Sequence, residues 1–547
     1  MGFMGDDLAF LTKPSTWLAA RAAGTESRPR LGSKELGARL LAFAIPVMIA
    51  IEVPGLGTIY LAELCLIGLL PVLLVLRGRM LQSKTLVIIL ALGFLYFGAQ
   101  VITDVIRETP FADYARGWSR ILFLLFSFVS TYLLIGNDRA RLLCYAGGLV
   151  VGATIYLLIS NPISAIGWKF GFAGPATTLI LIGFSLVSVL RSPSSLVGPA
   201  VLVALGIFSA FMDFRSWGGV LMLSAAFISI PALLRLVGLR PKPLSYGRML
   251  VIGAMLFVTS FGALKLYGYA AESGMLGEKS RQKYETQSAL GDLGILLGGR
   301  SESLVTVQAI QDSPLIGHGS WAKDRYYAEL RQLMLYRLGF VNRFIEPEND
   351  LIPTHSHLLG SWVEAGVGGA LFWIGILGLV IAALRRLYAS DDPLRPYLVF
   401  LMFLFIWDIL FSPFGAQRRL TNGFLMVAAL FALKACAMNW RQRGSRAAPT
   451  FAPAGPAVLQ PVGAAIRPGF AEPSVPPWMA PAPLHPSLRV DLEDRTPKET
   501  EDRQAATSPE REPPASDDGD DRPDIPDIGA GGETIRAGFR RLRQQKP

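Results

Sequence analysis

Along most of the chain apolar residues run on for about 20 positions at a time, and polar residues gather in the gaps between. Runs of that length predict helices near 37–55, 58–76, 85–106, 120–136, 142–160, 171–190, 196–214, 217–236, 249–270, 358–384, 396–414 and 421–438. Membrane-spanning strands in an open sheet are excluded, because hydrocarbon offers no partners to their backbone edges. The pattern therefore predicts an all-α polytopic membrane protein with about 12 transmembrane helices.

One long polar interruption, Glu272 to His357, breaks the series. Within it Leu304, Val307, Gln308 and Ile310 suggest one short helix, and Tyr327 to Leu338 a second, by apolar spacing of three and four. A connection longer than about 15 residues with internal structure is usually functional. The expectation is a small helical cap over one face of the membrane. The chain then divides into an N-terminal segment (1–36), nine helices (37–271), the large loop (272–357), three helices (358–438) and a tail (439–547).

The first segment is mixed and polar and has no short apolar stretch followed by a small-residue cleavage site, so no removable signal peptide is expected. The tail passes from proline-rich text (PSVPPWMAPAPLHP) to charged text (SDDGDDRPDIPD), which is too poor in apolar residues to order itself, and it is expected to be disordered. Its end, ETIRAGFRRLRQQKP, sets Ile535, Phe539 and Leu542 on one helical face among arginines. That face suits anionic membrane lipid or a cytoplasmic protein partner; a frayed basic end is the plainer reading.

Composition agrees with the pattern. Only 17% of residues are charged and 51% are hydrophobic, against a charged share of about 25% in soluble proteins. The net charge of +10 does not point to nucleic acid, because the basic residues form short clusters between apolar runs and there set membrane orientation. Clusters at Arg77, Arg79 and Lys84, at Arg139 and Arg141, at Arg191, at Arg235, Arg240, Lys242 and Arg248, and at Arg385, Arg386 and Arg395 occupy alternate connections. With Arg441, Arg443 and Arg446 they put both termini in the cytoplasm and the large loop outside. Arg107, Arg116, Arg120, Lys169, Arg215, Arg418 and Arg419 fall on the external side and call for another reason to be there. Cys65, Cys144 and Cys436 are scattered through apolar segments without metal-ligand spacing.

Three of the four histidines lie in the large loop. Gly299-Arg300 opens its chemistry, Asp312-Ser313-Pro314-Leu315-Ile316-Gly317-His318-Gly319 follows, and His355-Ser356 leads through Gly366 and Gly369 into a helix. Between the seventh and eighth helices stands Asp213-Phe214-Arg215-Ser216-Trp217-Gly218-Gly219. In these elements, in this order and on one side, the chain resembles the superfamily of O-antigen ligases and Wzy-type O-antigen polymerases, whose members carry a "GR … PLxGxG" loop, a His-Asn/Ser element with two glycines, and an arginine at an external helix end. The likeness covers roughly 211–384 by motif. Phe214 and Ser356 depart from the commoner residues at their positions.

The resemblance implies a bacterial inner-membrane glycosyltransferase that takes a glycan from undecaprenyl diphosphate and passes it to an acceptor hydroxyl, a lipid A core or another glycan, in the periplasm with inversion. His355 would be the base, since an imidazole titrates near pH 6.5 and general base catalysis contributes about 10²–10⁴-fold. Arg215 and Arg300 would hold the diphosphate through paired, permanently charged hydrogen bonds. His318, Ser356, His357, Arg418 and Arg419 are further candidate substrate contacts, and Gly317, Gly319, Gly366 and Gly369 structural ones; Gly366 and Gly369 with Ala370 give a face that lets a neighbouring helix come close. No external carboxylate pair, metal-ligand cluster, phosphate-cradling loop or dinucleotide fingerprint is found, so no metal and no cofactor are expected. Glu63, Asp104 and Asp408, inside apolar runs, instead mark an ion path and favour a lipid-linked glycan flippase or secondary transporter as the alternative.

Overall fold

The computed structural model describes residues 32–447, apart from positions 56, 161–166, 187–194, 240, 276, 279–280, 282–283, 286–301, 338–346 and 348. Arg300, residues 1–31 of the N-terminal segment and residues 448–547 of the tail, with its basic end, lie outside the described residues.

Each of the twelve apolar runs coincides with a helix. In chain order these are α1 (Ser33–Val47), α2 (Leu61–Arg77), α3 (Lys84–Ile106), α4 (Phe111–Ile135), α5 (Arg139–Ser160), α6 (Ala173–Leu186), α7 (Val197–Phe211), α8 (Arg215–Leu236) and α9 (Tyr246–Glu272). Two helices of the large loop follow, α10 (Glu302–Asp312) and α11 (Arg325–Arg337), and then α12 (His357–Tyr388), α13 (Arg395–Phe411) and α14 (Arg418–Ala447). Among the described residues six helices, α2 to α5, α8 and α12, are long and apolar enough to cross a membrane by length and composition. The chain is an all-α membrane protein.

The first run departs from its expected span of 37–55. Helix α1 stops at Val47, one residue past Pro46, and gives way to a 3-10 turn (Met48–Ala50) and a short antiparallel pair, β1 (Glu52–Val53) with β2 (Ile59–Tyr60). Proline lacks the amide that would continue the helix, and Pro54-Gly55 then favours a turn. At 15 residues α1 is about 22 Å long, short of a hydrocarbon layer of about 30 Å.

Helices α3, α4, α12, α13 and α14 pack together. Tyr96, Phe128, Phe372, Trp373, Phe400 and Phe405 are buried there. Around this core large apolar side chains point outward, Val75 at 87% and Leu250 at 76% exposure. Such a surface is costly in water and ordinary against lipid tails. At one end of the bundle basic residues are paired: Arg139 with Asp392 and Arg235 with Asp391, each at 2.6 Å, and Arg141 with Glu35.

The other end carries the cap, and there α12 is broken. Ala365 (φ −122°) and Gly366 (φ 58°, ψ −150°) leave helical geometry. The segment 315–319 lies in the gap: the amides of His318 and Gly319 donate to the carbonyls of Val363 and Glu364 at 2.7 and 3.0 Å, and Val367 donates to Leu315 at 3.2 Å. The groups freed by the break are thus satisfied by the loop. A Cβ at Gly366 would stand 2.0 Å from the Leu315 carbonyl oxygen, so its glycine is required twice over, by conformation and by space.

Candidate functional site

A cavity of about 400 Å³ lies where α4, the first two turns of α12, the α13–α14 connection and the cap come together. Its volume falls in the range of small-molecule pockets, roughly 300–1,000 Å³. Three charged side chains reach its wall: Arg120 from α4, Arg331 from α11 and Glu364 from α12. Asn349, Thr354, Ser356 and Ser361 supply amide and hydroxyl groups, and Trp321 and Phe414 the aromatic surfaces.

Arg120 forms an ion pair with Glu364 and donates from Nη1 to the Phe414 carbonyl at 3.2 Å. Its guanidinium lies 5.6 Å from the Trp321 ring and 5.3 Å from that of Phe414. Arg120 is 8% exposed, and its Nε has no acceptor. Glu364 is the last residue before the break in α12, which turns its carboxylate toward the cavity and the Trp321 amide. Arg331 is tied to Glu302 of α10 at 2.7 Å.

Trp321 sits at φ 55°, a left-handed conformation that costs an L-residue about 1–2 kcal/mol. Its neighbours hold it there. The Ser320 amide and hydroxyl donate to the two oxygens of Asp104 at 2.6 Å each, and Ile352 donates to Ala322 at 2.9 Å. Strained backbone of this kind gathers at functional sites.

The sequence-derived residues divide into three groups. Ser356 is on the cavity wall, where its hydroxyl caps α12 by accepting from the Leu359 amide at 3.1 Å and donates to the Ile409 carbonyl at 2.9 Å. His355 stands between the wall residues Thr354 and Ser356, is half-buried, and does not itself line the cavity. Arg215, the first residue of α8, is also off this wall; its Nε lies 3.6 Å from Asp213, which Lys169 approaches at the same distance. The convergence expected of His355, Arg215 and Arg300 is therefore not assembled around this cavity by the described residues.

The remaining candidates have internal partners. His357 is fully buried, with Nδ1 donating to the Ser412 carbonyl at 2.5 Å and Nε2 accepting from Asn422 at 2.9 Å. This arrangement requires the neutral ring with its proton on Nδ1. His318 donates from Nε2 to the Ala309 carbonyl at 2.8 Å and meets the Tyr327 ring edge-on; burial holds its pKa below the ordinary 6.5. Burial likewise raises the Tyr327 hydroxyl, which donates to Asp312 at 2.5 Å. Arg418 pairs with Asp408 at 2.5 Å, and Arg419 is buried against Glu63.

The glycines also sort themselves. Gly317 and Gly319 take positive φ (89° and 93°) in the loop that fills the break, and a Cβ on Gly317 would lie 2.6 Å from the Gly366 amide nitrogen. A Cβ on Gly369 would meet the Ser361 carbonyl of the same helix at 2.3 Å, whereas Gly368 is the position that faces α3, 2.4 Å from the Ala99 methyl.

Sequence reasoning passed over Arg120, Glu364, Trp321 and Arg331 as site residues. The usable signal was a charge within an apolar run: Glu364 lies inside the predicted span 358–384, two residues before a glycine. Among the described residues no three His, Cys, Asp or Glu side chains cluster in a way that would hold a metal ion. No family model matches the chain, and no curated protein matches its sequence.

Proposed function

We propose that this chain is a membrane glycosyltransferase of the O-antigen ligase and polymerase type. It moves a glycan from undecaprenyl diphosphate to an acceptor hydroxyl, of a lipid A core or of another glycan, on the periplasmic side of the bacterial inner membrane. In this reading the twelve apolar segments cross the bilayer, α1 lengthened by the 3-10 turn that follows it, and both termini are cytoplasmic. The observation that carries it is the cavity itself: a chamber of about 400 Å³ between helix ends and cap, with two arginines, an acid and two aromatic rings on its wall. Guanidinium groups match the oxygens of a diphosphate, and fixed cations favour the charge that develops on such a leaving group. Hydroxyl and amide side chains beside aromatic surfaces suit a sugar.

The flippase or transporter alternative rested on intramembrane acids. Each has an internal partner: Glu63 is held by Arg419, Asp408 by Arg418, and Asp104 by Trp118 and Ser320. None of the three lines the cavity, which favours the transferase.

The test is deletion and complementation, with the surface polysaccharide sized on a gel. Unattached long chains in the deletion strain mean a ligase, single repeats a polymerase, and unchanged polysaccharide removes the proposal. His355 belongs to the proposal through its place between two wall residues. His355→Ala is expected to lower the amount of product at an unchanged protein level.

A further inference from the structure

Transfer to a hydroxyl needs a group that takes the hydroxyl proton, and it must touch the acceptor. Among the described residues Glu364 is the only carboxylate on the cavity wall, and no histidine shares that wall. His357, nearest in sequence to the helix start, uses both ring nitrogens inside the core. The Glu364 side chain retains 14% exposure although it is paired with Arg120.

A buried arginine–glutamate pair is weak evidence of stabilisation, since desolvation of both ions offsets much of their attraction. This pair also sits at a helix break and against a strained tryptophan, two features that a purely structural pair does not need. We propose that Glu364 is the catalytic proton acceptor of the transfer, masked by Arg120 until substrate enters; this deepens, and rests on, the functional reading above.

The step balances without a further reagent. The acceptor oxygen attacks the anomeric carbon, its proton passes to the Glu364 carboxylate, and the bond from the anomeric carbon to diphosphate breaks with its electron pair on the phosphate oxygen. As Glu364 becomes neutral it ceases to neutralise Arg120. The guanidinium charge is then available to the diphosphate as negative charge builds there. Proton uptake and leaving-group stabilisation are thereby coupled through one ion pair. The groups that face Glu364 are Arg120 from α4, Tyr96 and Asp104 from α3 and the Trp321 amide from the cap.

The experiment uses the full-length protein in lipid nanodiscs, with the lipid-linked glycan extracted from a strain lacking the gene as donor, and follows transfer from about pH 5 to about pH 9. Glu364→Gln is expected to lower turnover by about 10²–10⁴-fold with KM changed by less than about threefold, and to lose the acid limb of the pH profile. Glu364→Asp keeps the charge and the acid limb but draws the carboxylate back, and turnover should fall at least about tenfold. His355→Ala should retain the acid limb whatever its rate. Wild-type turnover in either Glu364 variant overturns the assignment, as does an acid limb lost in His355→Ala and kept in Glu364→Gln. If the wild type transfers nothing from this donor, the functional reading itself falls; if it transfers and the Glu364 variants match it, only the present assignment does.

Discussion

Arg419 and Glu63 meet in the packed interior, whereas Arg120 and Glu364 meet on the wall of a cavity. In the first pair Arg419 Nε and Nη2 donate to the two carboxylate oxygens at 2.7 and 2.6 Å, Nη2 also reaches the Thr58 carbonyl at 2.7 Å, and the Tyr60 amide donates to Glu63 at 3.1 Å. The acid is fully enclosed, and the pair joins α2, α14 and the β1–β2 turn into one unit. In the second pair the arginine keeps a donor without an acceptor and the acid keeps a path to open space. The same two residue types thus serve as a fixed joint in one place and as an exchangeable contact in the other. Completeness of hydrogen bonding and the acid's access to open space separate them.

The contrast can be broken by substitution. Glu63→Ala leaves Arg419 uncompensated, and a buried pair broken from one side costs about 3–5 kcal/mol. The expected outcome is a steep fall in folded protein, measured by membrane abundance and thermal unfolding, with transfer per folded molecule unchanged. Loss of activity from well-folded Glu63→Ala would erase the distinction drawn between the two pairs.

Gly366→Ala tests the setting of the second pair. It forces a side chain onto φ 58° and against the Leu315 carbonyl, a strain of at least about 1–3 kcal/mol. Both stability and transfer should drop, because Glu364 is two residues away. Trp321→Gly separates the two effects. It relieves about 1–2 kcal/mol of backbone strain while removing the ring, so unfolding temperature should move little and transfer should fall. Unchanged transfer would detach the tryptophan from the site.

The smallest effect concerns pH. Burial depresses the His318 pKa below 6.5, so its contribution to stability is complete above that value and is lost as pH falls through the lower, folded-state value. Unfolding temperature between about pH 7 and about pH 5 should decline less in His318→Gln than in the wild type, by roughly 2 °C or under. A steeper decline in the variant would contradict the burial of a neutral ring.

The helices were legible in the sequence because a run of about 20 apolar residues has few structural outcomes. Their ends were less so: the local effect of Pro46 and Pro54-Gly55 outweighed a continuing apolar pattern and cut the first run short. Within the loop, the helical spacing of Leu304 to Ile310 falls in α10 and that of Tyr327 onward in α11. The site was harder to read because it depends on contacts between distant positions. Arg120 and Glu364 are 244 residues apart, and nothing local pairs them. His355 and Ser356 drew attention through motif, yet only Ser356 lines the cavity. Arg418 and Arg419 stood out as external charges, while their partners lay far back in the text, at Asp408 and Glu63.

The interruption at Gly366 also affects how the protein tolerates change. In a continuous helix one inserted residue rotates everything beyond it by about 100°. Here the azimuth of residues 357–364 is fixed by the loop hydrogen bonds and the Ser356 cap. Insertions below the glycine can therefore be absorbed without swinging the upper half out of alignment. The two halves of α12 are thus held by separate sets of contacts.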